Sequence, residues 1–164
     1  MSNSIALHYF KTPYGELVLG SFKKQLCLCD WRYRKQRAAV DARIKKGLDA
    51  DFTAETSVVI EETKKQLLNY FNKMQSTFDI PLLFIGTDFQ KTVWEALIQI
   101  PYGKTSSYLE LSNQLNNPKA IRAIASANGA NALSIIVPCH RIIGSNGDLV
   151  GYAGGLPTKK NSFS

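Results

Sequence analysis

The sequence predicts an α+β protein in two parts, on three observations. Residues 5–30 set short apolar runs between turn residues, the pattern of β structure. Residues 57–72 repeat apolar side chains at helical spacing. From residue 87 onward, capping signals precede short amphipathic runs, so the second part reads as helical. A chain of 164 residues holds one large domain or two small ones, and a 45% hydrophobic content is enough for a core. No apolar run reaches the roughly 18 residues of a membrane span. Met1-Ser2-Asn3-Ser4 lacks the pattern of a signal peptide, so export is not expected. Three cysteines are an odd count, and Cys27 and Cys29 are too close for an easy disulfide. A reduced, cytoplasmic protein is the simple reading. Lys and Arg outnumber Asp and Glu by 20 to 13, a net charge of +7. That suits a polyanionic partner and equally a plain basic surface.

Taken in order, Ile5-Ala6-Leu7-His8-Tyr9-Phe10 is strand-like, and Thr12-Pro13-Tyr14-Gly15 carries turn chemistry. Leu17-Val18-Leu19-Gly20 and Leu26-Cys27-Leu28-Cys29 can pair with it as an antiparallel meander. Leu26 and Leu28 share one face of the last strand, Cys27 and Cys29 the other. Cys-x-Cys with His8 nearby is not a standard metal spacing, so the favoured reading is small apolar fillers and no metal. Arg32, Arg34, Lys35, Arg37, Arg43, Lys45 and Lys46 form a basic run that reads as a solvated loop or helix face. Val59, Ile60, Thr63, Leu67, Tyr70 and Phe71 make the core stripe of a helix. Phe78 to Phe84 is apolar but broken by Pro81, an edge strand or connector. The expected boundary falls there, between parts 1–84 and 85–164.

The second part opens with Thr87-x-x-Gln90, a capping box, ahead of a helix with Phe89, Val93, Ala96, Leu97 and Ile100 inward. Pro101-Tyr102-Gly103 ends it. Ser107-x-x-Glu110 is a second box. Asn116-Asn117-Pro118 is a turn in which Asn117 caps and Pro118 starts a helix running to Gly129. Helix, short turn and helix make a helix-turn-helix candidate. On its second helix Ile121, Ile124 and Ala125 form the apolar face. Lys119, Arg122, Ser126 and Gly129 fall at i, i+3, i+7 and i+10, a face first cationic and then small. Such a face fits a nucleic-acid groove and equally an ordinary amphipathic helix with two solvated charges.

Ile135-Ile136-Val137 reads as a short buried strand that Pro138 stops. Cys139 is then presented beside His140 and Arg141, and both neighbours favour the thiolate that a nucleophile needs. On spacing alone a buried inert thiol stands beside that reading. After residue 142 the chain is glycine-rich, at Gly144, Gly147, Gly151, Gly154 and Gly155. Ser145-Asn146-Gly147-Asp148 reads as a hairpin turn, and the glycine spacing fits no phosphate loop.

Pro138-Cys139-His140-Arg141 resembles the acceptor motif of the O6-alkylguanine-DNA alkyltransferases, also called methylated-DNA–protein-cysteine methyltransferases, in their bacterial, Ogt-like form. Gly86-Thr87-Asp88-Phe89-Gln90, Val93-Trp94, Ile100-Pro101-Tyr102-Gly103, Ser107-Tyr108 and Gly151-Tyr152-Ala153-Gly154-Gly155 resemble that family too, in its order. The likeness covers the second half of the chain; the first half fits by length and pattern. It implies a ribonuclease-H-like antiparallel sheet with a helix, followed by a winged-helix-turn-helix-like domain. The implied activity is DNA repair, an irreversible, stoichiometric transfer of the alkyl group from O6-alkylguanine, and from O4-alkylthymine, to Cys139 after base flipping.

The resemblance also implies roles. Cys139 is the acceptor and His140 a base acting through a water. Tyr108 donates to the purine and presses on the neighbouring phosphate. Arg122 fills the vacated stack on a helix with Lys119, Ser126 and Gly129 that enters the minor groove of double-stranded DNA. Asn131 is the hinge between that helix and the acceptor segment. Tyr152 and Ala153 wall the pocket, and the carbonyls of Cys139 and Ile142 read the guanine amino group. The expected protein is a monomer with no cofactor, metal or membrane. One departure stands out: the family continues after the glycines with a lysine, paired leucines and a glutamate that orients the histidine. Here Leu156-Pro157-Thr158-Lys159-Lys160-Asn161-Ser162-Phe163 supplies neither the leucine pair nor the carboxylate. Three other readings remain at this point: a non-catalytic lesion binder, a winged-helix regulator and a cysteine hydrolase.

Overall fold

The computed structural model describes residues 3–143. The hairpin turn expected at 145–148, the pocket residues Tyr152 and Ala153, and the departing tail lie outside the described residues. The chain divides after Gly86 into two compact units, Met1–Gly86 and Thr87–Ser164.

In the first unit β1 (Ser4–Thr12), β2 (Gly15–Phe22) and β3 (Gln25–Trp31) form the expected antiparallel meander. The first turn closes on its own side chains. Thr12 Oγ1 donates to the Gly15 carbonyl at 2.7 Å and accepts from the Tyr14 N–H at 3.1 Å. Gly15 sits at φ 139°, a conformation closed to residues with a Cβ. The second turn has no such signal. Lys23 and Lys24 both take positive φ, as a two-residue hairpin turn requires, without the usual Asn-Gly chemistry.

The sheet is not wholly antiparallel. After β3 the chain crosses through α1 (Arg37–Leu48) and returns as β4 (Asp51–Ala54), which pairs parallel with β1. The strand order is β3-β2-β1-β4. The parallel pair follows from the connection, since a helical crossover reverses the direction a hairpin would impose. The basic run is also less solvated than its composition implies. Arg34 lies within the unit, its Nη1 donating to both carboxylate oxygens of Asp30 at 3.1 and 3.2 Å, and both side chains are almost fully buried. Arg37 is held within α1 by Asp41 at 2.8 Å. A charge on a basic run can go inside when a carboxylate waits for it four residues earlier, as Asp30 does for Arg34.

Helix α2 (Val58–Phe71) forms where its stripe predicts, with Ser57 accepting from the Ile60 N–H at 3.2 Å as N-cap. Ile60, Thr63, Gln66, Leu67 and Tyr70 are buried. Gln66 had no apolar signal. It is held by the backbone of Asp79, donating to its carbonyl at 3.0 Å and accepting from its N–H at 2.9 Å. The Phe78–Phe84 stretch is a connector tied to the sheet at one point, where Leu26 N–H donates to the Pro81 carbonyl at 2.8 Å and Leu83 N–H to the Leu26 carbonyl at 2.9 Å.

In the second unit α3 (Asp88–Ile98) begins with the full capping box: Gln90 N–H donates to Thr87 Oγ1 at 3.1 Å, and Thr87 N–H to Gln90 Oε1 at 2.9 Å. Val93 and Leu97 point inward as expected; Phe89 and Ala96 are half-buried, and Trp94 takes the remaining core position. The Trp94 indole N–H donates to the Ala127 carbonyl at 2.8 Å, tying α3 to α5. β5 (Ser106–Ser107) leads into α4 (Tyr108–Gln114), and α5 (Ile121–Gly129) follows after a turn. Helix α5 starts later than Pro118. Asn116 takes φ 56°, and Ala120 N–H donates to the Asn117 carbonyl at 3.0 Å, a separate turn before the helix begins. Asn117 is spent on that turn and does not cap α5. Among the described residues no helix is long and apolar enough to cross a membrane.

Candidate active site

Cys139, His140 and Arg141 form a single 3-10 turn, followed by β6 (Ile142–Ile143). The run before it, Ile135-Ile136-Val137, is buried as expected but is not a strand. The chain folds back on itself instead: Val137 N–H donates to the Leu133 carbonyl at 2.8 Å, and Cys139 N–H to the Val137 carbonyl at 2.7 Å. Ile135 sits at φ 74°, a strained place for a β-branched residue. Asn131 makes the alternative possible. Its Oδ1 accepts from Leu133 N–H at 2.9 Å and its Nδ2 donates to the Val137 carbonyl at 3.0 Å. Polar backbone groups are thereby satisfied inside the loop. The hinge expected at Asn131 is a side chain that closes the loop carrying Cys139.

Tyr108 is brought to the same place by strand register. Ser106 pairs with Ile142 and Ser107 with Ile143 in a parallel two-stranded sheet. The segment leaving Cys139 therefore runs beside the residues leading into Tyr108. Ser107 caps α4, accepting from the Glu110 N–H at 3.0 Å, and this fixes Tyr108 as the first residue of the helix. Tyr108 is buried, and Asn128 of α5 donates its Nδ2 to the Tyr108 hydroxyl at 3.3 Å. Burial holds the Tyr108 phenol above its ordinary pKa; the Asn128 bond pulls it down, and the nearby Cys139 pushes it up again. Tyr108 keeps its proton at neutral pH as a result.

Arg141 anchors the turn from the other side. Its Nη1 donates to the Ile100 carbonyl at 2.8 Å, just past the end of α3, and its guanidinium lies 5.5 Å from the Tyr102 ring. A cation on the last carbonyls of a helix is favourable. The sequence reading takes Arg141 as a cation favouring the Cys139 thiolate and misses this anchoring contact to Ile100; it gives Asn128 no role. The only signal for Asn128 is its position: a polar residue four places after the buried Ile124, on the inward face of α5.

That inward face differs from the expected one. Ile124, Ala127 and Asn128 are buried, whereas Ile121 is 39% exposed and Ala125 half-buried. The helix is rotated because it begins at Ile121 and is held at Ala127 by Trp94. Arg122 and Ser126 remain exposed on the opposite side, with Lys119 exposed in the turn before the helix and Gly129 half-buried at its end. Structure thus brings Tyr108, Asn131, Cys139, His140 and Ile142 into one unit and leaves Lys119, Arg122 and Ser126 facing outward. Among the described residues no three His, Cys, Asp or Glu side chains converge to hold a metal ion.

A sheet-and-helix unit is followed by a helix-turn-helix unit in which a buried cysteine turn leads into a strand paired with the segment entering Tyr108, the arrangement of a helix-turn-helix protein that carries a buried cysteine. Residues 88–163 match the family of the 6-O-methylguanine DNA methyltransferase DNA binding domain. The chain is 49% identical over 153 residues to the methylated-DNA–protein-cysteine methyltransferase of Methanosarcina mazei, spanning 93% of this chain and 91% of that one. It is 50% identical over 152 residues to the constitutive methylated-DNA–protein-cysteine methyltransferase of Bacillus subtilis, covering 88% and 84% of the two chains. A crystal structure of Mycobacterium tuberculosis OGT in complex with DNA matches with a TM-score of 0.81 and 36% identity, over 94% of this chain and 88% of that one. The chain belongs to the methylated-DNA–protein-cysteine methyltransferases.

Proposed function

We propose that this chain repairs DNA by moving an alkyl group from O6 of guanine onto Sγ of Cys139, once per protein molecule. The observation that carries the assignment of Cys139 is the β5–β6 register, which sets the buried cysteine turn beside a buried, protonated tyrosine. In the step, the Cys139 thiolate attacks the alkyl carbon. A carbon–sulfur bond forms, the carbon–O6 bond breaks, and its electron pair passes to the guanine. The Tyr108 hydroxyl donates a hydrogen bond to the purine and stabilises the charge as it develops. His140 takes the Cys139 proton through a water, leaving the thiolate.

The base must leave the stack to reach a buried sulfur. Exposed Arg122 enters the minor groove and fills the gap, with Lys119 on phosphate and the small Ser126 and Gly129 permitting close approach. The carbonyls of Cys139 and Ile142 read the guanine amino group, and Tyr152 and Ala153 are assigned to the pocket wall by the family resemblance. O4-alkylthymine is a second substrate. The protein acts as a cytoplasmic monomer without a cofactor.

Intact mass after incubation with duplex DNA carrying O6-methylguanine tests the reading. One added methylene on each protein molecule, with the reaction stopping at one equivalent, is expected; an unchanged mass overturns it. Arg122→Ala is expected to slow repair of duplex by about tenfold or more, since extrusion costs a few kcal/mol, while leaving reaction with free O6-methylguanine base unchanged. Equal loss on both substrates would remove Arg122 from extrusion.

A further inference from the structure

One end of the meander in the first unit carries a group of side chains that adds little to the core. Lys11 of β1 pairs with Glu16 of β2, and Tyr9 lies two residues before Lys11, so all three share one face of the sheet. Arg32, just past β3, joins them. Its N–H donates to the Glu16 carbonyl at 2.8 Å, and its Nη1 donates to Glu16 Oε1 at 2.9 Å. The guanidinium lies 3.9 Å from the centre of the Tyr9 ring and 5.2 Å from that of Tyr33. The two rings are nevertheless 48% and 78% exposed. Ring surface left in water gains nothing from burial, and an ion pair at the surface contributes little to stability.

We propose that Tyr9, Arg32 and Tyr33 form a stacking platform for the unpaired bases of single-stranded DNA, a contact separate from Cys139 and from the outward face of α5. Such a site needs flat π-surfaces, which accept any base, and cations beside them for the phosphates. Both are present. Glu16 holds the guanidinium against Tyr9, so the surface is formed before a strand arrives and little ordering is left for the binding step. Glu16 is itself neutralised by Arg32, and Lys11 and Lys35, both exposed, leave the group cationic. That charge favours a polyanion as the occupant. In a duplex each base is stacked on its neighbours and offers no face to Tyr33, so the platform selects strands whose bases are unpaired. It acts without reference to a lesion, and retention on single-stranded DNA is what it supplies.

The test is binding of the full chain to a fluorescent oligothymidylate, which carries no guanine, measured over a range of salt. Tyr9→Ser with Tyr33→Ser is expected to weaken binding roughly tenfold, the effect of losing a stacked base. The slope of affinity against salt should stay as in the parent chain, because no charge is removed. Lys11→Ala with Lys35→Ala is expected to lower that slope while both rings remain. Single-turnover repair of a saturating methylated duplex should be unchanged in the tyrosine pair. Undiminished affinity for the single strand in that pair overturns the platform. So does an equal loss in duplex repair, which would show the rings acting through the fold. Should the pair not fold, Tyr33→Ser alone, in an exposed turn, is read the same way with a loss of roughly fivefold. A measurement on the unaltered chain stands behind these. Photo-crosslinking to a single strand containing iododeoxyuridine is expected to give adducts at Tyr33 or Tyr9, and adducts confined to Thr87–Ser164 overturn the proposal.

Discussion

Cys139→Ser is expected to abolish alkyl transfer and to leave binding to duplex DNA unchanged. Oxygen replaces sulfur with little change of volume, so the 3-10 turn and the loop closed by Asn131 keep their contacts. Chemistry changes completely, because a serine hydroxyl is not ionised at neutral pH and its oxygen is a far weaker nucleophile. The outward residues Arg122, Ser126 and Lys119 are untouched, and Cys139 itself is fully buried. Intact mass should show no added methylene on the variant, and a DNA titration at fixed salt should match the parent chain. The other thiols do not substitute for it. Burial pushes the Cys27 thiol up to about 12, and Cys29, also fully buried, is raised by burial and by Asp30. A methyl group found on Cys139→Ser, or mapped to Cys27 or Cys29 in the parent chain, would remove Cys139 as the acceptor.

Arg34→Met is expected to cost about 3–5 kcal/mol of stability, the usual penalty for stranding one partner of a buried ion pair. Asp30 is then left buried without the guanidinium that binds both its oxygens. The pH dependence has a definite sign. Burial already holds the Asp30 carboxyl above its ordinary range, against the lowering pull of Arg34 and of the Trp31 N–H. Without Arg34 that folded-state pKa rises further. A carboxyl whose folded pKa exceeds its unfolded one favours the fold below that window and opposes it as pH rises through the folded value. The deficit of the variant should therefore be largest at neutral pH and shrink on acidification. Replacing both residues, Asp30→Leu with Arg34→Met, should recover most of the loss, since neither member of the pair is left buried alone. Denaturant unfolding at neutral and mildly acidic pH measures all of this. A deficit that grows on acidification would show that Asp30 is not the stranded group.

Local chemistry made much of the chain legible. The meander, α2 and α3 follow from short-range signals: alternating or helically spaced apolar residues, a turn at Thr12–Gly15, a serine or threonine at each helix start. The capping box at Thr87 and Gln90 involves groups three residues apart, so nothing distant can overrule it. The motif around Cys139 was legible for a similar reason, since nucleophile, base and cation are sequence neighbours.

Tertiary structure decided what depended on distant partners. Arg34 looked solvated because its neighbours are basic, and it went inside because Asp30 lies beneath it at the end of β3. The apolar run before Cys139 carried strand propensity, and lost it to a loop that Asn131 satisfies from within. Helix α5 turned its Ile121 outward because the Trp94 indole, on another helix, fixes the carbonyl of Ala127. The same rotation put Asn128 against Tyr108. Sequence alone determined the family, the acceptor motif and the elements built from contacts within a few residues. Which side of α5 faces the core, which arginine is buried and which groups surround Tyr108 were decided by folding, because each depends on atoms that the chain brings together only after its local elements have formed.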